Sequence, residues 1–437
     1  MKMNTKLMTI GRLMTSLVLA MILCFSMAMP AFAADDDYAK GENGKSAEAA
    51  ITKILRIADG TAAPAETFEF VFEAKTLNGV SGLSMPTIGP VGIEFKGGES
   101  GSAEEDGVVY LALESDNILE DVADTDWPHA GVYVYEVTET DNGTDGMTYS
   151  KAKYQITFFV ENVGETSSLF VAGIGVKILS KDDSNQTSNI NDKVDPTPGG
   201  DEETYFYSQV IFTNTYVEPT EEKDPTDPDN YKLDISKTVA GAYGDRTMYF
   251  DFEITIDRPA TLTDEVSYKA YIVEMIEGEL TVVTDKANYE GTIIPSAGTG
   301  TYAHFLVTTG STVQFKLKHG QQLVFTAIHD GASYIAEEAA VEDYTASAAI
   351  VVDGAEKVTK SNQKTNEALS TALDEENEMN LIGKNQSSAD FTNTYKTVTP
   401  TGISVDNLPF IMLLVISILG VAVYVTFKYR RSAKNEK

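Results

Sequence analysis

Hydrophobic and polar positions alternate with a period of two through most of the chain. Phe68, Phe70 and Phe72 alternate with Glu69 and Val71; Tyr154, Ile156, Phe158 and Val160 repeat the pattern, and so do Phe250, Phe252, Ile254 and Ile256 against Asp251, Glu253 and Thr255. Strict alternation over short runs predicts half-buried β-strands. Asn142-Gly143, Asp353-Gly354 and Gly97-Gly98 punctuate the runs as turns. Many short strands without a sustained helical period predict an all-β chain of antiparallel, immunoglobulin-like sandwiches. One stretch, residues 365–379, predicts a short helix in an insertion.

The pattern occurs twice. Ile51-Thr52-Lys53 opens one unit and Ile235-Ser236-Lys237 the other, each followed by a turn and a Phe-alternating strand. Each unit then carries a Tyr-x-x-x-Glu strand, Tyr135 to Glu139 and Tyr334 to Glu338. Each closes on the same five residues, Phe212-Thr213-Asn214-Thr215-Tyr216 and Phe391-Thr392-Asn393-Thr394-Tyr395. Lys53 and Asn214 are 161 positions apart, Lys237 and Asn393 156. The repeat is therefore the size of a domain, not of a solenoid unit. It divides the chain into a first sandwich over 34–216, an acidic, proline-punctuated linker over 217–230 and a second sandwich over 231–397. Residues 181–204 and 355–389 are expected to be long surface loops.

The two ends read as addresses. Residues 1–33 have the form of a secretory signal: Lys2, Lys6 and Arg12, then an apolar stretch, then Ala31-Phe32-Ala33 as the cleavage site. The only cysteine, Cys24, lies inside it, so an exported mature chain would use no disulfide. Residues 398–437 carry Pro400-Thr401-Gly402, an apolar run over 408–427 long enough to span a bilayer, and a basic tail of Lys428, Arg430, Arg431, Lys434 and Lys437. That order resembles the cell-wall sorting signal of Gram-positive surface proteins. The resemblance implies a sortase that cuts between Thr401 and Gly402 and joins Thr401 to an amine. The chain as a whole carries a net charge of −33, which argues against nucleic acid as a partner and for a self-repelling, soluble surface protein.

A lysine on the first strand, a glutamate on a middle strand and an asparagine on the last strand recur in both units. Where the terminal strands lie side by side, an inward lysine is a buried charge, and burial lowers a lysine pKa and raises a glutamate pKa. A neutral amine is a nucleophile. A protonated glutamate can hydrogen-bond and polarise the asparagine carbonyl, so that amine attack releases ammonia and leaves an isopeptide bond. The lysine strand, the Tyr-x-x-x-Glu strand, the Phe-Thr-Asn-Thr-Tyr ending and the segment Phe315-Lys316-Leu317-Lys318-His319-Gly320 resemble the isopeptide-forming domains of Gram-positive pilins of the T-antigen type and related collagen-adhesin B-type domains. Residue by residue, the resemblance implies a Lys53–Asn214 bond with Glu139 as helper and a Lys237–Asn393 bond with Glu338 as helper. Strand parity supports the helpers, since Tyr135, Val137 and Glu139 share a face, as do Tyr334, Ala336 and Glu338. By the chain-entropy account of a crosslink, closing so long a loop contributes about 4–5 kcal/mol.

These readings predict a wall-anchored structural surface protein, plausibly a pilus subunit, whose partners are a sortase and either peptidoglycan or neighbouring pilin subunits. Polymerisation would need an acceptor lysine; Lys177, Lys181 and Lys193 are candidates by location. The alternative is an adhesin that binds a host protein or glycan through its long loops. His129, His304, His319 and His329 have no metal spacing, and no Ser-His-Asp arrangement or Gly-rich phosphate loop is present. An enzyme with turnover, a cofactor and a metal are therefore not expected. Asp182, Asp183, Asp192 and Asp195 are dense but lack EF-hand spacing and read as a solvated acidic loop.

Overall fold

A computed structural model describes residues 38–396, except 43, 104–106, 183–187, 200–206, 290, 299, 356–357 and 374–378, together with Ser417. The predicted signal segment, Thr401 and Gly402 lie outside the described residues, and so, Ser417 aside, does the predicted span over 408–427. No helix among the described residues is long and apolar enough to cross a membrane.

The chain is all-β, with three single-turn 3-10 segments among the described residues within 38–396. The strands that organise it are β1 (Thr52–Ala58), β2 (Ala65–Leu77), β3 (Gly131–Glu139), β4 (Lys153–Asn162), β5 (Leu169–Ser180) and β6 (Ile211–Tyr216), followed by β7 (Leu233–Ala240), β8 (Phe250–Asp257), β9 (Ala332–Glu338), β10 (Tyr344–Val351) and β11 (Ser387–Tyr395). In the first half, β5-β4-β3-β2 form the body of a larger sheet, and β1 and β6 are the middle of a smaller one between Val108–Glu114 and Met147–Thr148. In the second half the assignment is reversed. β7, β11 and β10 belong to the larger sheet, and β8 and β9 to the smaller.

Period-two alternation explains what lies between the sheets. The even positions of β2 and β4 and the odd positions of β3 bury Phe68, Phe70, Tyr154, Phe158, Tyr135 and Val137 against Leu55, Ile57 and Phe212. The second core repeats this with Phe250, Phe252, Ile254, Tyr334 and Ala336 against Ile235, Val239, Leu323 and Phe391. Aromatic pairs cross the two cores at corresponding places. Phe70 and Phe212 have ring centroids 4.7 Å apart, and Phe252 and Phe391 5.2 Å.

In each half the first and last strands run parallel and adjacent. β1 pairs with β6, and β7 pairs with β11. The other flank of the last strand differs. β10 covers β11 from Ser388 to Tyr395. Among the described residues β6 has only Met147–Thr148 on that side, opposite Tyr216 and Thr215.

Three expectations change. Within 365–379 the described residues form no helix; Leu369–Ser370 is a short strand paired to Glu338 and Glu337 of β9. Burial of Leu369 at the sheet edge overrides local helix preference. The segment 181–204 contains a strand, Lys193–Val194, laid on β5 at Lys177 and Val176. The segment 355–389 likewise contributes Val358–Ser361 and Asn380–Ile382 to the sheets.

Gly146 sits at φ 75°, and a Cβ there would lie 2.0 Å from the Val217 carbonyl oxygen. Gly143 has φ 72° with open space around it. Gly143→Ala is expected to cost about 1 kcal/mol, from backbone conformation alone, and Gly146→Ala about 2–3 kcal/mol, because the Val217 backbone just past β6 must also give way. Thermal unfolding of the two variants side by side checks the order.

Candidate functional site

Lys53 shares a strand face with Leu55 and Ile57, and Lys237 with Ile235 and Val239. Alternation therefore turns both lysines into the cores, where their side chains are fully buried. The last strands bring the asparagines to the same place. Lys53 lies opposite Phe212, and Asn214 lies opposite Leu55, two positions further on. Lys237 lies opposite Phe391, and Asn393 opposite Val239. The register offset is the same in both halves. Each glutamate comes from the facing sheet, beside an equivalent aromatic: Glu139 opposite Phe70 and Glu338 opposite Phe252.

In the first site one oxygen, Glu139 Oε1, lies 2.7 Å from Lys53 Nζ and accepts from Asn214 Nδ2 at 3.0 Å. In the second, Glu338 Oε1 lies 2.5 Å from Lys237 Nζ and 2.6 Å from Asn393 Nδ2. Aromatic rings wall the amines in. Lys53 Nζ is 4.4 Å from the centre of Phe68, and Lys237 Nζ is 4.0 Å from Phe250. The structure thus brings Lys53, Glu139 and Asn214 together, and Lys237, Glu338 and Asn393 together.

Electrostatics pushes both pairs toward neutrality. Burial lowers the Lys53 pKa to about 8 against the opposing pull of Glu139, and burial lowers that of Lys237 to about 8 against Glu338. Burial raises Glu139 and Glu338 above the usual carboxylate range, with the lysines pulling the other way. A proton exchanged within each pair leaves an uncharged amine and a carboxylic acid.

The two sites part company at the amide oxygen. The sequence led us to expect the glutamate there. In the first site the glutamate is on the amide nitrogen, and the oxygen, Asn214 Oδ1, accepts from the Ser150 N–H at 2.7 Å. The same N–H reaches Glu139 Oε2 at 3.0 Å. Asp182 anchors this segment: it accepts from Ser150 Oγ at 2.5 Å, from the Lys151 N–H at 2.8 Å and from the Thr213 N–H on β6 at 3.0 Å. In the second site Asn393 Oδ1 and Glu338 Oε2 are buried with no hydrogen-bond partner among the described residues. Turning the Asn393 amide by 180° would let a protonated Glu338 donate to its oxygen, and 2.6 Å suits an O–H···O contact better than an N–H···O one. Ser150 and Asp182 were not singled out as site residues from the sequence. Ser150 acts through its backbone, and Asp182 looked like the start of an acidic loop.

Residues 231–395 match a family described as "Domain of unknown function (DUF7601)". No curated protein matches the chain. Among solved structures it is similar to the major pilin from Streptococcus pyogenes, at 18% identity and a TM-score of 0.30, covering 80% of this chain and 99% of that one. It is also similar to the T-13 major pilin protein of Streptococcus pyogenes, at 15% identity and a TM-score of 0.29, covering 83% and 100%. A pilus-presented adhesin is similar at 15% identity and a TM-score of 0.20, over 56% of this chain and 36% of that one. The resemblance drawn from the repeated motifs points to the same group of proteins.

Removing one member of a buried pair leaves the other without compensation. In a chain carrying Asn393→Ala, further substitution Glu338→Ala is expected to destabilise the second half by about 3–5 kcal/mol. Adding Lys237→Met, which fills the slot without charge, should recover most of that. Urea unfolding of the three variants measures both steps.

Proposed function

We propose that the chain is a structural subunit of the Gram-positive cell surface, of pilus type, and that each sandwich closes on a self-formed isopeptide bond: Lys53 to Asn214 and Lys237 to Asn393. The observation that carries the reading is the shared carboxylate oxygen. In each half one buried oxygen contacts both a buried lysine amine and a buried asparagine amide, at the same strand register.

The chemistry is ammonia displacement. The neutral lysine Nζ attacks the asparagine Cγ and forms a new C–N bond. The protonated glutamate, whose oxygen stands next to Nδ2, gives its proton to that nitrogen as the Cγ–Nδ2 bond breaks and ammonia leaves. The carboxylate so formed takes a proton from the lysine nitrogen beside it. Atoms balance without a cofactor, and the glutamate ends as it began. Proximity and general acid–base help supply the rate. The site reacts once, which is maturation and not turnover.

Surface attachment rests on the sorting pattern. A sortase cuts between Thr401 and Gly402, and the Thr401 carbonyl passes to an amine of peptidoglycan or of a neighbouring subunit. For the second route the fold favours Lys177 and Lys193 over Lys181. Lys177 and Lys193 are cross-strand partners and line a surface groove with Tyr38, Phe159, Gly173 and Gly175. Lys181 donates to the Ser188 carbonyl at 3.0 Å.

Intact mass tests the crosslinks. The folded chain is expected to weigh less than its sequence by two ammonias, about 34 Da. Asn214→Ala and Asn393→Ala should each remove one of the two losses, after correction for the substitution. Folded protein of unaltered mass refutes the bonds.

A further inference from the structure

The two sites share their reacting groups but not their surroundings, and the difference traces to a missing strand. Along β11 the flank away from β7 is hydrogen-bonded to β10. Along β6 the equivalent flank has no strand beside Ile211 and Thr213 among the described residues, and side chains bond there. The Tyr154 hydroxyl donates to the Ile211 carbonyl at 2.7 Å and accepts from the Ile211 N–H at 3.1 Å. Asp182 accepts from the Thr213 N–H. The residues just before β4 can therefore come in over the strand end, and the Ser150 N–H meets Asn214 Oδ1.

That N–H stands where charge develops. When an amine adds to Cγ, electron density moves to Oδ1, and a donor already 2.7 Å from this oxygen stabilises the tetrahedral intermediate more than the resting amide. Its aim depends on Asp182. One carboxylate ties the Ser150 hydroxyl and the Lys151 N–H to the strand that carries Asn214, with Thr213 as the third tie. Ser180 adds a brace from the same side, its hydroxyl donating to the Lys151 carbonyl at 2.7 Å.

Resting on the crosslink reading above, we infer that Asp182 is a positioning residue for the first site: it holds the Ser150 N–H on the Asn214 amide oxygen as an oxyanion donor, so closure of the first site depends on Asp182 and closure of the second does not. The N–H only donates a hydrogen bond. The bonds made and broken, and the proton passed through Glu139, are those already given.

The test follows the two bonds separately in one molecule. The full chain is synthesised in a cell-free system, quenched in urea at intervals and digested, and the Lys53–Asn214 and Lys237–Asn393 linked peptides are quantified. Asp182→Ala is expected to slow the first bond about 10–100-fold, below the full loss of an oxyanion donor, with the second bond at its usual rate. Asp182→Asn, which keeps one oxygen for the Ser150 hydroxyl or the Lys151 N–H, should restore part of the rate. Ser150→Ala keeps the N–H but loses one tie, so it should slow the first bond by a smaller factor. Each substitution is also placed in an Asn214→Ala chain, where thermal stability is read without the bond. A slowed first bond in variants of unchanged stability supports the positioning role. An unaltered first-bond rate in Asp182→Ala overturns it, as does equal slowing of both bonds. If Asp182→Ala does not fold, Ser150→Ala decides, and a wild-type rate there overturns the inference. Absence of the first bond from the unaltered chain would sink the crosslink reading itself, a separate result.

Discussion

A lysine and a glutamate buried together between two sheets constrain everything else in each half of this chain. Stacked sheets stand about 10 Å apart, so one side chain alone cannot bridge them, but a lysine from one and a glutamate from the other can meet midway. Taking both charges out of water costs several kcal/mol per ion in real proteins, which their attraction offsets only with good geometry and further hydrogen bonds. The asparagine amide supplies one of those hydrogen bonds in both halves. That requirement fixes the first and last strands as neighbours, sets the offset of two positions between lysine and asparagine, and places the glutamate on the opposite sheet. Sandwich order is in this sense a consequence of how three side chains must meet.

Burial, more than the set of residue types, separates these sites from ordinary polar clusters. The second half contains a cluster of similar composition: Glu274 takes Lys318 at 3.2 Å and Gln321 at 2.9 Å. There the lysine and glutamate side chains are 29% and 23% exposed. Water reaches both ends of that pair, whereas the Lys53 and Lys237 side chains are wholly buried. Among the described residues no aromatic ring walls in Lys318 as Phe68 and Phe250 wall in the other two. The same three functional groups thus form a surface ion pair with an amide beside it, or a fully buried triad, according to what surrounds them.

The strands, and which residues share a face, were legible in the sequence because both follow from alternation. Lys53 falls in step with Leu55 and Ile57, and Glu139 with Tyr135 and Val137, so parity alone turns them inward. The repeated Phe-Thr-Asn-Thr-Tyr segment carried the asparagines. What alternation cannot express was missed. The stretch around Leu369 has helix-compatible composition, yet it completes a sheet edge beside Glu338, which only tertiary pairing decides. Ser150 acts through a backbone N–H, which every residue but proline has, and so leaves no mark in composition. Asp182 sits among other acids, and its contact with the Thr213 N–H arises where β6 has no neighbouring strand among the described residues. The glutamate's contact with the amide nitrogen in place of the oxygen is a matter of a few ångströms that no spacing rule reaches.

Parallel pairing of the first and last strands gives the proposed bonds their mechanical sense. A chain pulled from its two ends draws on the first strand toward one end and on the last toward the other. Two parallel neighbours are then sheared along their length, and the backbone hydrogen bonds between them share the force. An isopeptide bond two positions off the lysine's own partner lies across that same pair of strands, inside the core and beyond the reach of water and proteases. Force entering at β1 would cross to β6 through a covalent link near the strand start, and the remainder of the first sandwich would hang outside the line of tension. The second half, with the same offset between β7 and β11, repeats the arrangement. A chain whose predicted mature form has no cysteine would in this way obtain from lysine, glutamate and asparagine what exported proteins commonly obtain from disulfides, with the difference that the crosslink contains no sulfur to reduce.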